Sequence, residues 1–495
     1  MPGKGPLRFF ALRILPGRYQ LDGNKPHEES LMKKELFVYG AATTLALAMG
    51  VGLWTVSQAD PPSRPKVPAL QYDPTFPKLP LPVAGDFGSA CVSVAGGVVT
   101  TVSCTNPATG KPKPWVMGEV AGTCVDSQDH VFTVNRGNLV SPETVTAVSS
   151  PTVIEFDSAG NVVSAWNVKA KDSTGTLVPV NQSQIHGCFV DYQDNIWIGG
   201  NGNGVEVKYS HDGSTWLNQI GVYNVCDNPP ANTCGNSGGN PAANVSQVYL
   251  NQPANVWVDP DPDPVTHNRG SVYVADGYGN HRVVVFQDNG NGTVTYLRQW
   301  PHDNSVATTV NNPLTDFPGL FAAGDGGHPH CAVGGNDGMI YACDRGDDRI
   351  QVFDKALTHL VRIIPVVPGT GVTLGNNGAV CTAGTSPPCS PGLGTAGSAW
   401  DLRFTNDAAQ TYFFEIDGGN EIMHTMERAS GAIVANLGEP GHDGGAQFTF
   451  LHSNTVDSKG NVYTGETING RRIQKFLHVE CNNGNGQGNA PGNCS

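Results

Sequence analysis

The stretch 451-LHSNTVDSKGNVYTGETINGRRIQKF-476 places Asp457 five residues and Tyr463 eleven residues after His452. The same frame recurs in 186-HGCFVDYQDNIWIGG-200, where Asp191 and Trp197 follow His186 at the same distances. Each copy reads as a short apolar strand, a turn built from Asp, Asn or Gly, and an apolar strand carrying an aromatic. A polar corner and a further strand of Val-x-x-Phe type come next. Working outward, four more copies appear: 121-AGTCVDSQDHVFTVNRGN-138, 252-QPANVWVDP-260 with 270-GSVYVADGYGNHRVVVF-286, 330-HCAVGGNDGMIYACDRGDDRIQVF-353, and 399-AWDLRFTNDAAQTYFFEIDGGNEIMHTM-426. Six units of four short strands predict an all-β, six-bladed β-propeller, whose ring must close because a lone blade cannot bury both faces. Two packed sandwiches are the alternative. Sixty-two Gly, thirty-six Pro and only 15% charged residues in 495 suit short strands and tight turns.

The remaining chain divides around this body. Residues 1–59 form an N-terminal extension with a signal peptide or membrane anchor, 60–115 a Pro-rich lead-in, 116–478 the propeller, and 479–495 a tail rich in Cys, Gly and Asn. Lys33 and Lys34 precede an apolar run from Phe37 to Val56, and small residues at Ser57 and Ala59 fit export cleavage before Asp60. Uncleaved, that run is long enough to span a bilayer, so a membrane contact is expected only in that case. Met32 is a second candidate start. Either way a secreted, periplasmic or otherwise extracytoplasmic location is expected. Twelve cysteines agree with an oxidising compartment. Close spacing pairs Cys91 with Cys104, Cys226 with Cys234, Cys381 with Cys389 and Cys481 with Cys494. Cys331 and Cys343 flank the Asn336-Asp337-Gly338 turn, and Cys124 and Cys188 are left over. With no CxxC pair, a cysteine zinc site is not expected. A net charge of −14 without clustered Lys and Arg excludes nucleic acid as a partner. A monomer is expected, and the long insertions 222–251 and 365–396 read as loops on one face.

His186, His330 and His452 share one register in the second, fourth and sixth units, where the others carry Ala121, Asn255 or its neighbour, and a residue near Ser398. Alternate blades of a six-fold ring are related by about 120°, so equivalent side chains on the innermost strands meet on the axis. A lone histidine at a strand start is ordinarily structural. Three converging neutral imidazoles with an open fourth position are the ligand set of a catalytic zinc. His328, two residues before His330, falls outside the register and reads as loop. Beyond the aromatic of each unit lies a second polar layer: Arg136 four after Phe132, Arg345 four after Tyr341, and Tyr278 five after Tyr273. These point to the channel mouth. There an arginine grips a carboxylate bidentately, and a tyrosine beside a metal and two cations serves as a base. The crowded 344-DRGDDR-349 raises a corner ion pair as the other role for Arg345, whereas 135-NRGN-138 offers Arg136 no nearby acid.

The segments 273-YVADGYGNHRVVVF-286, 329-PHCAV-333, 341-YACDRGDDRIQVF-353 and 451-LHSNTVDSKGNVYTGE-466 resemble the NHL-repeat propeller of peptidyl-α-hydroxyglycine α-amidating lyase, over roughly 116–478. The resemblance implies zinc on His186, His330 and His452, a catalytic tyrosine at Tyr278 and active-site arginines at Arg136 and Arg345. It implies cleavage of the N–Cα bond of a peptidyl-α-hydroxyglycine to an amide and glyoxylate, so the expected partner is a small molecule or peptide bearing a carboxylate. Two positions depart from the family: Phe450 stands for a methionine lining the site, and Ser453 for an aspartate associated with structural calcium, which puts calcium in doubt. The readings that compete with a secreted zinc carbon–nitrogen lyase are a non-catalytic propeller binding peptide or glycan, and a metal-dependent hydrolase or lactonase. The last needs acidic ligands in the channel, for which only Asp401 and Glu415 are placed.

Overall fold

In the computed structural model, residues 66–479 are described except 96, 235–243, 304, 308–313, 322–328 and 367–397. The apolar run 37–56, His328, and the pairs Cys381/Cys389 and Cys481/Cys494 lie outside the described residues.

Six four-stranded antiparallel sheets follow one another along the chain. Blade 1 is Val120–Val125, Val131–Asn135, Val153–Phe156 and Val162–Trp166; blade 2 is Cys188–Val190, Ile196–Gly200, Val205–Tyr209 and Trp216–Gly221. Blade 3 is Asn255–Val258, Ser271–Asp276, Arg282–Asp288 and Val294–Trp300; blade 4 is Pro329–Gly334, Met339–Asp344, Arg349–Asp354 and Leu360–Pro365. Blade 5 is Ala399–Phe404, Tyr412–Asp417, Ile422–Glu427 and Ile433–Leu437. Blade 6 takes three strands from the end of the ring, Leu451–Val456, Val462–Glu466 and Arg472–Val479, and its fourth, Ala69–Tyr72, from the beginning. That last pairing runs from Ala69 opposite Val479 to Tyr72 opposite Phe476. The ring is therefore closed by a strand from within the Pro-rich 60–115 segment, which removes the free sheet edge a separate lead-in would have left. Each innermost strand touches the innermost strands of both neighbours, all the way round.

The repeated spacing has a local cause. Trp197 Nε1 donates to Asp191 Oδ2 at 3.2 Å, and the Tyr463 phenol reaches Asp457 Oδ2 at 3.2 Å. The aspartate caps the turn with its other oxygen: Asp191 Oδ1 accepts from the N–H groups of Gln193 and Asn195, and Asp457 Oδ1 from those of Lys459 and Asn461. One carboxylate thus closes the hairpin turn and satisfies the polar tip of an aromatic driven into the inter-blade core. Trp197, Tyr273, Tyr341 and Tyr463 are all fully buried there. Apolar clusters fill the spaces between successive blades, as with Phe132, Val134 and Val153 against Ile196, Ile198 and Val207.

Among the described residues there are four disulfides: Cys91–Cys104, Cys124–Cys188, Cys226–Cys234 and Cys331–Cys343. Cys331 and Cys343 face each other across a hairpin. Cys124–Cys188, the pair left over by spacing, ties the innermost strand of blade 1 to that of blade 2. Among the described residues no helix is long and apolar enough to cross a membrane.

Cys124–Cys188 closes a sequence separation of 64 and Cys226–Cys234 one of 8. Replacing both members of the first pair by alanine is expected to lower the unfolding free energy by about 4 kcal/mol, and removing the second to cost clearly less, because loop-closure entropy grows with loop length. Denaturant titration of the two double variants checks the order.

Candidate metal centre

The three histidines come from equivalent places at the start of blades 2, 4 and 6. His330 and His452 lie where the pairing of the innermost strand slips by one residue, between Pro329 and Cys331 and between Leu451 and Ser453. Such a bulge leaves one residue out of the ladder and re-aims its side chain. The same slip occurs in blade 1 at Ala121 and in blade 5 at Trp400. His186 stands just ahead of Cys188–Val190, with its N–H bonded to Gly199 O, and Ala254 occupies the same place in blade 3. The axis is thus ringed by His186, Ala254, His330, Trp400, His452 and Ala121.

The rings converge. Their centroids are 5.0 Å apart for His186 and His330, 4.7 Å for His186 and His452, and 4.9 Å for His330 and His452. Their candidate ligand nitrogens all lie within 4.8 Å of one another, and all three residues are buried.

The blades without histidine supply the locks. His186 Nδ1 meets Ala254 O at 2.6 Å, His330 Nδ1 meets Trp400 O at 2.6 Å, and His452 Nδ1 meets Ala121 O at 2.8 Å. A carbonyl only accepts, so Nδ1 carries the proton in each ring and the Nε2 lone pair is left for the axis. This is the outer support that metal-bound imidazoles characteristically have. Burial lowers the pKa of all three: for His186 the charges of His452, His330 and Arg136 add to it, for His452 those of His330, Arg136 and Arg345, and for His330, brought down to about 3, that of Arg345. Three neutral rings turning lone pairs toward one another leave an arrangement that a cation completes, so the donor set fits a divalent ion such as zinc.

Tyr278 overhangs this centre. Its phenolic oxygen is 3.1 Å from His186 Nε2 and 3.0 Å from His330 Nε2. The loop carrying it is fixed from both sides: Gly279 and Asn280 donate to Asn251 O, and Asp276 takes both Asn280 Nδ2 at 2.7 Å and Arg282 Nε at 2.9 Å. A side chain at Gly279 would put its Cβ 2.3 Å from the Asn251 carboxamide, so glycine is required there by close approach.

Arg345 Nη1 donates to the Tyr278 oxygen at 3.2 Å, and its guanidinium lies 4.0 Å above the Trp400 ring. In the charged corner, its neighbour Arg349 bonds Asp344 at 2.7 Å and Asp347 at 3.2 Å. Arg136 differs from the expectation of a corner without acids. Its Nη1 is 2.8 Å from Glu119 Oε2, and its Nε donates to Ile185 O at 3.0 Å. Glu119 also accepts from Asn138 and, at 3.3 Å, from Thr467. Burial would raise the Glu119 carboxyl, but Arg136 and these donors outweigh it and hold it below its ordinary value.

Below the imidazoles, the channel is lined by Thr123, Asn255, Asp401, Arg403 and Ser453. Asp401 Oδ1 is 2.7 Å from Arg403 Nη1 and accepts from Asn255 at 3.2 Å, and Ser453 Oγ accepts from Thr123 at 3.3 Å. A guanidinium already balances the one carboxylate, so these residues do not fit a calcium ion. Asp401 is thus paired with Arg403, and Glu415 is buried in the second strand of blade 5, outside these lining residues. Phe450 joins Trp400 in a buried cluster with its backbone at φ 55°, held by Glu421, which accepts the N–H groups of Phe450 and Leu451 at 2.8 Å each. Sequence reasoning missed Glu119, Glu421 and the three locking carbonyls. The recurrence of the register in Ala121 and the neighbour of Asn255 was the one signal pointing to the last.

The class defined here is a six-bladed β-propeller with a buried three-histidine centre on its axis. No family model matches the chain. The peptidyl-glycine alpha-amidating monooxygenase of Mus musculus is 23% identical over 251 residues, a match spanning 50% of this chain and 22% of that protein. Among solved structures, a streptogramin B lyase and the WD40 β-propeller domain of Doa1 each align over 74% of this chain and 94% of their own, with TM-scores of 0.39 and identities of 10% and 9%. Similarity of that size says nothing about function.

Because the folded pKa of His330 lies below the unfolded value, its contribution to stability is fully present above about pH 6.5 and is lost as pH falls toward about 3. Metal-stripped protein is therefore expected to lose thermal stability progressively over that window, and His330→Asn to flatten the loss. Thermal melts across that pH range check it.

Proposed function

We propose that this chain is a zinc-dependent carbon–nitrogen lyase that cleaves an α-hydroxyamide, of peptidyl-α-hydroxyglycine type, to an amide and glyoxylate outside the cytosol. The observation that carries the reading is the Tyr278 phenol poised within 3.1 Å of two of three imidazoles whose lone pairs face one centre. Support comes also from the partial match to an amidating enzyme, and, for the location, from the four disulfides.

A divalent ion held by His186, His330 and His452 would supply Lewis acidity at the substrate hydroxyl. Tyr278, as the phenolate, then acts as the base: its oxygen takes the hydroxyl proton, the oxygen electrons form the aldehyde C=O, the N–Cα bond breaks with its electron pair going to nitrogen, and the proton held by Tyr278 passes to that nitrogen. Arg345, donating to the phenolic oxygen, stabilises that oxygen once its proton has left. The substrate carboxylate is an anion entering a mouth that holds two guanidiniums. Both can hold it through charge-assisted hydrogen bonds, Arg136 while sharing its charge with Glu119.

Glyoxylate release from α-hydroxyhippurate tests the reading. Tyr278→Phe is expected to lower kcat by at least about 100-fold, the usual weight of a general base, with the bound metal retained. His186→Ala should lose one equivalent of zinc relative to wild type together with all turnover. Full zinc occupancy without turnover of any carbinolamide would sink the lyase in favour of a binding propeller.

A further inference from the structure

Comparing the corner of blade 1 with those of blades 2 and 6 exposes a reversal of charge. In blade 2, Asp191 receives Trp197 Nε1 at 3.2 Å and Lys208 Nζ at 2.7 Å, Lys208 lying directly opposite Trp197 across the sheet. In blade 6, Asp457 receives the Tyr463 phenol, and Lys475 stands opposite Tyr463 with its ammonium 5.3 Å over that ring. Blade 1 keeps the aspartate, Asp126, but replaces the polar aromatic by Phe132 and the opposing lysine by Glu155. Both donors that Asp191 has in blade 2 are gone, one exchanged for a hydrocarbon ring and the other for a second carboxylate.

Two histidines fill the gap. His211, from the turn after the third strand of blade 2, places Nε2 2.6 Å from Asp126 Oδ2, with its ring edge-on to Phe132. His130 Nδ1 is 2.7 Å from Glu155 Oε1 and 3.9 Å from Asp126 Oδ2. The other Asp126 oxygen is occupied by the N–H groups of Gln128 and His130 at 2.8 and 2.7 Å, so Oδ2 is the one turned to the imidazoles. The ligand atoms of Asp126, His130 and Glu155 lie within 4.8 Å of one another. The Asp126 side chain is 0% exposed and Glu155 6%, whereas His130 and His211 are 25% and 30% exposed, which gives an ion a way in from solvent.

We propose that Asp126, Glu155, His130 and His211 bind a divalent transition-metal ion, zinc foremost, that clips blade 1 to blade 2. The two carboxylates carry a charge that such an ion balances, and mixed nitrogen and oxygen donors suit zinc. The ion takes the place the lysine holds in blade 2, and it lies apart from the axial centre.

The test uses the full chain, stripped with a chelator and titrated with zinc ion alone. Wild type is expected to bind two equivalents. Glu155→Lys, which restores the residue of blades 2 and 6, should bind one, and so should the double variant His130→Ala with His211→Ala. Zinc should raise the thermal midpoint of wild type by more than that of Glu155→Lys, while glyoxylate release by the zinc-loaded Glu155→Lys protein stays at the wild-type level. One equivalent in wild type, lost in His186→Ala, would make the cluster a proton-held ion pair and overturn the proposal while leaving the lyase reading intact. Two equivalents persisting in both blade 1 variants would overturn it as well.

Discussion

The structure of the axis depends on one contact made three times: an imidazole N–H of one blade donating to a backbone carbonyl of the next. His186 to Ala254, His330 to Trp400 and His452 to Ala121 run in the same sense around the ring. Each bond fixes ring orientation and tautomer together, so the open nitrogens are aimed before any ion arrives. The carbonyl in each case belongs to a different blade from the histidine. Closure of the propeller and assembly of the centre are therefore the same event, and any rotation of one blade against its neighbour misdirects a lone pair. That explains why the ring is sewn at Ala69–Tyr72 and, beside His186, by Cys124–Cys188.

Charge around the centre is arranged so that the imidazoles stay neutral. Two guanidiniums press on buried rings and, with burial, keep them unprotonated. Glu119 partly offsets Arg136, Arg349 bonds the corner carboxylates Asp344 and Asp347, and Arg345 donates to Tyr278 and stacks on Trp400. The two arginines, equivalent in the repeat, thus make different contacts. One is half of an ion pair; the other is stacked on an indole and turned to the phenol.

What could be read from sequence follows from how far apart the interacting residues are. The aspartate–aromatic frame lies within one hairpin, so its spacing repeats and the fold and the three histidines were legible from it. Tyr278 and Arg345 follow their strands at fixed offsets and were legible for the same reason. Glu119 was not, because its bond to Arg136 joins the two ends of a hairpin rather than neighbours in it. The register position in blade 5 blurred to "near Ser398" because a long insertion precedes it; the residue is Trp400, two further on. A carbonyl has no letter of its own, so the locking contacts leave no mark in sequence beyond the positions where histidine is missing.

Six copies of one blade need not remain six copies of one function. At the axial register the alternation of histidine with a residue that offers its backbone carbonyl divides the ring into candidate ligands and locks. At the outer corner the division is of another kind: in blades 1, 2 and 6 an aspartate held by turn geometry must find a partner for its second oxygen, and lysine, tyrosine, tryptophan or histidine can each provide one. Turn closure constrains the aspartate tightly and the partner hardly at all. A position so constrained on one side and free on the other is where a repeat protein can exchange an ammonium for a carboxylate without disturbing its fold, and the exchange at Glu155 leaves the hairpin register of blade 1 intact at Phe132. A repeat of this kind can thus diverge where repetition secures the backbone and leaves the side-chain partner open.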